Sequence, residues 1–160
     1  MTRRQTIQVL ASASMVALGL IGALGSTAVQ AQQKLKWAHV YEASEPFHTS
    51  SVWAAEEFKK RTNGKFEIQV FPASSLGKES DINQGLQLGT VDIILTGASF
   101  AANSFPRLAV NYYPFTFRDA DHVLKYGKSD VFKELAEGYK KATNGNTITA
   151  MTYYGVRHSS

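Results

Sequence analysis

The sequence predicts an α/β fold, a mostly parallel sheet flanked by helices. Two observations carry that expectation. Between Leu35 and Leu95 short apolar strand patterns alternate with helical ones, in the order strand, helix, strand, helix, strand. Such alternation implies crossover connections and parallel pairing. Each pattern is also closed by turn-forming residues, at Pro46, Asn63-Gly64, Phe71-Pro72 and Gly89. In open sheets of this kind ligands sit outside the carboxyl ends of the strands. A site is therefore expected among residues 41–48, 72–79 and 96–100.

The first strand, 35–41, is apolar on both faces, which suits a strand covered on both sides. The helix at 46–62 is expected to start from Ser44 as N-cap, with Pro46 in the first turn where its missing N–H has no helical partner. Phe47, Ser51, Ala54, Ala55 and Phe58 recur at helical spacing and should face the sheet; Glu56, Glu57, Lys59, Lys60 and Arg61 lie mostly opposite. Asn63-Gly64 ends the helix, Gly64 taking the left-handed cap conformation. Phe66, Ile68 and Val70 alternate with Glu67 and Gln69 in a strand over 66–71.

A second helix over 80–88 has its apolar positions at Ile82, Leu86 and Leu88, and a short strand follows at 91–95. Residues 97–105 read as a loop or short helix, and 111–117 as an aromatic, proline-broken segment. Trp37, Phe100 and Tyr112 are expected in the core. Helices at 119–126 and 129–143 have N-caps at Asp119 and Ser129. Val131, Phe132, Leu135 and Tyr139 form the buried stripe of the last one. Residues 147–154 read as another strand. The sequence then runs out at Ser160 straight after this strand, the pattern expected of the first part of a longer protein.

Residues 1–31 are set apart as a secretory signal peptide. Arg3 and Arg4 precede an uncharged apolar run, and Val29-Gln30-Ala31 fits a small-x-small cleavage site, with cleavage after about Ala31. A membrane span would need about 20 consecutive apolar residues, and this run is shorter and broken by Ser and Gly. Thr2-Arg3-Arg4-Gln5 partly resembles a twin-arginine signal, but Thr6 is polar, so the general secretion route stays open beside it. Residues 32–160 then form the mature part. Removing Arg3 and Arg4 from the 17 basic residues leaves 15 against 13 acidic ones, a net charge near +2. That charge is too small and too scattered to call for nucleic acid or an anionic membrane surface. Without cysteine there is no disulfide, thiolate metal site or cysteine nucleophile.

Enzyme signatures are absent: no Gly-x-Ser-x-Gly elbow, no phosphate-binding glycine loop, no His-Glu-x-x-His. His39, His48, His122 and His158 lack metal-ligand spacing, so neither metal nor cofactor is expected. Arg157 follows a strand pattern and a glycine. It either clamps a carboxylate through two parallel hydrogen bonds or pairs with a nearby surface acid. Tyr41, Glu42 and His48 flank the exit of the first strand, where they either bind ligand hydroxyls or belong to a solvated loop. Glu79 sits near the start of the second helix, where the helix dipole alone would accommodate an acid.

An ordered set of segments carries a resemblance. It comprises Leu35-Lys36-Trp37-Ala38-His39, Glu57-Phe58, Thr62-Asn63-Gly64-Lys65 and the run from Phe71 through Ser75-Leu76-Gly77 to Glu79. Gly89-Thr90-Val91-Asp92-Ile93, Tyr113-Pro114-Phe115 and Gly155-Val156-Arg157 complete it. The chain resembles the solute-binding proteins of tripartite ATP-independent periplasmic (TRAP) transporters, the dicarboxylate-binding-type family. The resemblance implies a two-lobed, hinge-closing periplasmic binding protein without catalytic activity, here cut before most of its second lobe. It implies an organic acid as ligand and the membrane permease subunits as partners, with no membrane insertion after signal cleavage. Arg157 matches a Gly-x-Arg arginine of the family, while the arginine that most defines it lies beyond Ser160. The uncharged loop 96–100 departs from sialic-acid binders, which carry a charged pair there. The polar loop at 41–48 suits a polyhydroxylated acid such as a uronate, with Glu42 and His48 on hydroxyls. An aldonate or a dicarboxylate stays open, and the competing expectations are a truncated product without binding activity and an exported α/β hydrolase.

Overall fold

The structure, a computed structural model, describes residues 32–155. The signal segment 1–31 and Arg157 lie outside the described residues. Three parallel strands form the sheet in the order β2-β1-β3, with β1 at Gln33–His39, β2 at Phe66–Phe71 and β3 at Ile93–Leu95. Helix α1 (Pro46–Arg61) connects β1 to β2, and α2 (Glu79–Leu88) connects β2 to β3. A short α3 (Ala98–Ala101), a 3-10 helix (Pro106–Tyr112), α4 (Ala120–Tyr126) and α5 (Asp130–Ala142) follow. The predicted α/β class and parallel pairing hold, and the pattern-derived elements through 143 fall within a few residues of their expected bounds.

The differences have local causes. Strand β1 starts at Gln33, whose N–H bonds Lys65 O, and it ends at His39, not Tyr41. Past that point its carbonyls meet a turn instead of a strand: Ser74 N–H donates to His39 O and Ala73 N–H to Tyr41 O. Ala73 and Ser74 both hold positive φ, 50° and 58°, a conformation that costs each about 1–2 kcal/mol. Strand β3 begins at Ile93, not Val91, because the Asp92 carboxylate takes the Lys36 N–H at 2.8 Å where a backbone carbonyl would otherwise pair. Ser44 is not the N-cap of α1; Glu45 is, and its side chain makes no capping bond to the helix. Instead it accepts from Glu42 N–H at 2.9 Å, closing the turn before the helix. The caps at Asp119 and Ser129 hold, each side chain accepting an N–H of its helix.

Two apolar clusters make the core. Ala38, Ile82 and Val91 join the sheet to α2, flanked by Val40, Phe71 and Ile94. Ala101, Leu108, Leu135 and Tyr139 join the later helices, flanked by Ala102, Phe105, Tyr126 and Ile148. Phe132, Leu135 and Tyr139 form the buried stripe of α5, whereas Val131 is 62% exposed and does not belong to it. Phe58 is partly exposed and packs on Phe66 at the rim, and Leu88 and Tyr112 face solvent rather than the core.

Residues 147–154 form no strand. Their side chains are drawn to three separate places: Ile148 to the helical cluster, Met151 to Gly127, and Tyr154 to Tyr41 and Phe47. A segment anchored this way has no single strand neighbour with which to build a ladder.

Gly138 lets Phe105 reach the helical cluster. A Cβ there would overlap the Phe105 ring at Cζ. Gly138→Ala should therefore destabilise the fold by about 1–3 kcal/mol despite the better helix propensity of alanine. Urea unfolding measures it, and an unchanged or raised midpoint would mean that the Phe105 ring moves aside freely.

Candidate functional site

In the order β2-β1-β3 the chain leaves β1 for one neighbour and returns on the other side, so the strand order reverses at β1. The carboxyl ends of β1 and β3 flank that switch point, His39 standing beside Leu95 in the register. Crevices at such points bind ligands in open α/β sheets. Loop geometry then brings together the residues leaving β1 and entering α1.

His39, the last residue of β1, is 1% exposed. Its Nε2 lies 3.3 Å from Nδ1 of the half-buried His48, in the first turn of α1. Burial, reinforced by the neighbouring His48, pushes the His39 imidazole below its ordinary pKa, against smaller opposing effects of the Tyr41 backbone and Glu45. Tyr41 and Phe47 pack with ring centres 4.8 Å apart, and the Tyr154 ring stacks on both, at 5.5 Å and 5.3 Å. The Tyr154 hydroxyl donates to Glu45 Oε2 at 2.9 Å. One glutamate therefore holds both the turn before α1 and this distant tyrosine. The result is an aromatic wall beside a histidine pair, at the N-terminal end of a 16-residue helix whose dipole favours a nearby anion. Shallow surface depressions elsewhere, such as the one lined by Lys59, Lys60 and Gly64, lie at the far end of α1 and gather no comparable chemistry.

The predicted residues divide. Tyr41 and His48 meet in this cluster, and Glu42 stands exposed in the turn beside them. Glu79 belongs to the neighbouring loop: its Oε1 accepts from Thr96 Oγ1 at 3.0 Å and from Gly97 N–H, tying α2 to the exit of β3. Asn83, buried on the next turn, donates to Thr96 Oγ1 and to Glu79 O, both at 2.7 Å. Gly77 opens this connection with φ 116°, where a Cβ would come within 2.9 Å of Asp81 Cβ. The sequence reading missed His39, Glu45, Asn83 and Tyr154 and placed Phe47 against the sheet. Only His39 offered a signal, as a polar residue closing an apolar strand pattern. No group of three or more metal-ligating side chains occurs among the described residues, and none of their helices is long and apolar enough to cross a membrane.

A parallel sheet with a polar and aromatic cluster at its switch point has the architecture in which open α/β sheets hold small molecules. Residues 37–160 match the family described as bacterial extracellular solute-binding protein, family 7, and the chain belongs to it. This is a family of substrate-binding proteins rather than enzymes. A solute-binding protein of Roseobacter denitrificans is 32% identical over 124 residues, covering 77% of this chain and 38% of its own. Two crystal structures of TRAP periplasmic solute-binding proteins align closely. One, from Roseobacter denitrificans with bound L-galactonate, is 30% identical with a TM-score of 0.64, over 70% of this chain and 38% of that one. The other, from Citrobacter koseri with bound D-glucuronate, is 32% identical with a TM-score of 0.62, over 66% and 35%. The chain thus spans little more than a third of the length of the proteins it matches.

Proposed function

We propose that this chain supplies the first lobe of a TRAP solute-binding protein that captures a sugar acid, a uronate or an aldonate, and delivers it to membrane permease subunits. The N-terminal segment directs export to the periplasm and is cut after about Ala31. The observation that carries this reading is the cluster at the carboxyl end of β1, where Tyr41, Phe47 and Tyr154 form a wall beside His48. A sugar ring can lie against such a wall while Glu42 and His48 take its hydroxyls. The related proteins with bound L-galactonate and D-glucuronate support the same ligand class. Tyr154 stands three residues before Arg157, a span of about 10 Å at most. Arg157 is accordingly the residue assigned to the ligand carboxylate.

Titration calorimetry on the full chain tests this with D-glucuronate, L-galactonate and succinate. At least one sugar acid should bind about tenfold or more tighter than succinate, because unpaired polar groups penalise a ligand without hydroxyls. Arg157→Ala should weaken that binding about tenfold to a hundredfold, the worth of a charge-assisted hydrogen bond. Glu42→Gln should weaken the sugar acid and leave succinate unchanged. Equal or tighter binding of succinate would overturn the sugar-acid assignment, and unaltered affinity in Arg157→Ala would remove its role.

A further inference from the structure

We infer that Glu45 is a positioning residue that sets the preference for a hydroxylated acid through the reach of its side chain, joining Glu42, His48 and Tyr154 into one cleft wall. The inference rests on the reading above that Glu42, His48 and the aromatic wall meet the ligand. Its origin is local. Pro46 follows Glu45, and a residue before proline is held in the extended region. Glu45 accordingly has φ -80° and ψ 148° and stands as the N-cap of α1. In that place the short side chain of Ser or Asp ordinarily turns back onto an N–H of its own helix. Glutamate is one methylene longer, and its carboxylate makes no such bond. It reaches outward instead. Oε1 accepts the Glu42 N–H and Oε2 accepts the Tyr154 hydroxyl, both at 2.9 Å. The backbone of the same residue completes the grip: its N–H donates to Glu42 O and its carbonyl accepts the His48 N–H, both at 3.0 Å.

Glu42 is thus held at both its N–H and its carbonyl, and one residue ties together the two hydroxyl-binding side chains and the wall. Tyr154 is 57% exposed and comes from a segment that forms no strand. Its ring stacks on Tyr41 and Phe47, and the directional bond to Glu45 fixes where along them it lies. Groups ordered before the ligand arrives need not be ordered by it, which raises affinity for a ligand that uses them. A sugar acid uses all three. Succinate has no hydroxyl for Glu42 or His48 to take, so it gains nothing from the arrangement. What matters on this account is length rather than charge. Glutamine at 45 keeps both outward contacts, its oxygen accepting from Glu42 N–H and its amide donating to the Tyr154 oxygen. Aspartate keeps the charge but is too short, and it caps α1 instead.

Calorimetry on the full chain with D-glucuronate, L-galactonate and succinate tests this, beside thermal midpoints of the same variants. Glu45→Asp should melt at the same or a higher temperature, because the helix gains a cap. It should nevertheless bind the better sugar acid about tenfold more weakly, with succinate within about threefold. Glu45→Gln should stay within about threefold for every ligand. Tyr154→Phe should weaken the sugar acid about threefold to tenfold and add little in the Glu45→Asp background, since both remove the same bond. Without any ligand, the Glu42 amide should exchange about tenfold faster in Glu45→Asp and not in Glu45→Gln. A Glu45→Gln as weak as Glu45→Asp would make the charge the operative feature and overturn the inference. An unaltered sugar-acid affinity in Glu45→Asp, or an equal loss for succinate, would overturn it too. If the unsubstituted chain bound no sugar acid, the reading above would fall and this role with it. If it bound one with the expected preference and Glu45→Asp kept that preference, only the role of Glu45 would fall.

Discussion

Replacing Ile82 by alanine should lower the folding stability by about 3–4 kcal/mol, the usual cost of emptying a fully buried isoleucine site. Ile82 is 1% exposed and sits between the sheet and α2, in contact with the cluster of Ala38 and Val91. Ala38, Phe71 and Ile94 of this cluster stand on paired strands and yield little, so most of the cavity persists. The loss is large against the roughly 5–15 kcal/mol that holds a domain folded. Urea unfolding should show a lower midpoint with an unchanged slope. Leu88 on the same helix provides the contrast. It is 73% exposed, and Leu88→Ala should change stability by less than about 0.5 kcal/mol. An Ile82→Ala loss below about 1 kcal/mol would mean that α2 is not anchored to the sheet through this residue.

Glu79→Ala should cost about 2–4 kcal/mol, below the roughly 3–6 kcal/mol that two hydrogen bonds to a charged acceptor sum to, because water reaches this half-buried site and replaces part of what is lost. The carboxylate joins the first turn of α2 to Thr96 and Gly97, seventeen and eighteen residues further along the chain. Without it the Gly97 N–H and the Thr96 hydroxyl lose their acceptor, and the loop leaving β3 loosens at the proposed cleft. Glu79→Gln keeps one oxygen acceptor and should lose about half as much. Thermal unfolding reads the stability, and calorimetry with D-glucuronate reads the cleft. A destabilised Glu79→Ala with weaker binding, beside a Glu79→Gln that binds almost normally, identifies the residue as a brace. Weak binding in both variants with normal stability would instead place Glu79 on the ligand.

The sheet was legible because its signal is local. Each strand and helix through residue 95 carries its own period and its own punctuation, and parallel pairing follows from their alternation. Boundaries moved where one side chain replaced backbone, as Asp92 does for the first pair of β3. Residues 147–154 have a strand-like composition, yet their side chains serve three different neighbours, which no window of sequence reveals. The candidate site was half legible. Tyr41, Glu42 and His48 stand out as polar and aromatic residues at a strand exit. His39 shows only as a polar residue closing an apolar strand pattern, because its meaning depends on the turn that brings His48 beside it. Glu45 and Tyr154 are 109 residues apart, and only the folded chain brings them into contact. Arg157 stands out by its position after a glycine and by the resemblance of Gly155-Val156-Arg157.

The docking of Tyr154 has a consequence for the order of events in folding. Closing a loop of 109 residues onto Glu45 would cost an unstructured chain about 4 kcal/mol of entropy, more than one hydrogen bond and two ring contacts return. The contact becomes favourable only once the sheet and helices have shortened the path between its ends. The aromatic wall is thus completed late, and it can open and re-form while the sheet beneath stays intact. Amide exchange near residue 154 should accordingly be governed by this local undocking, not by global unfolding.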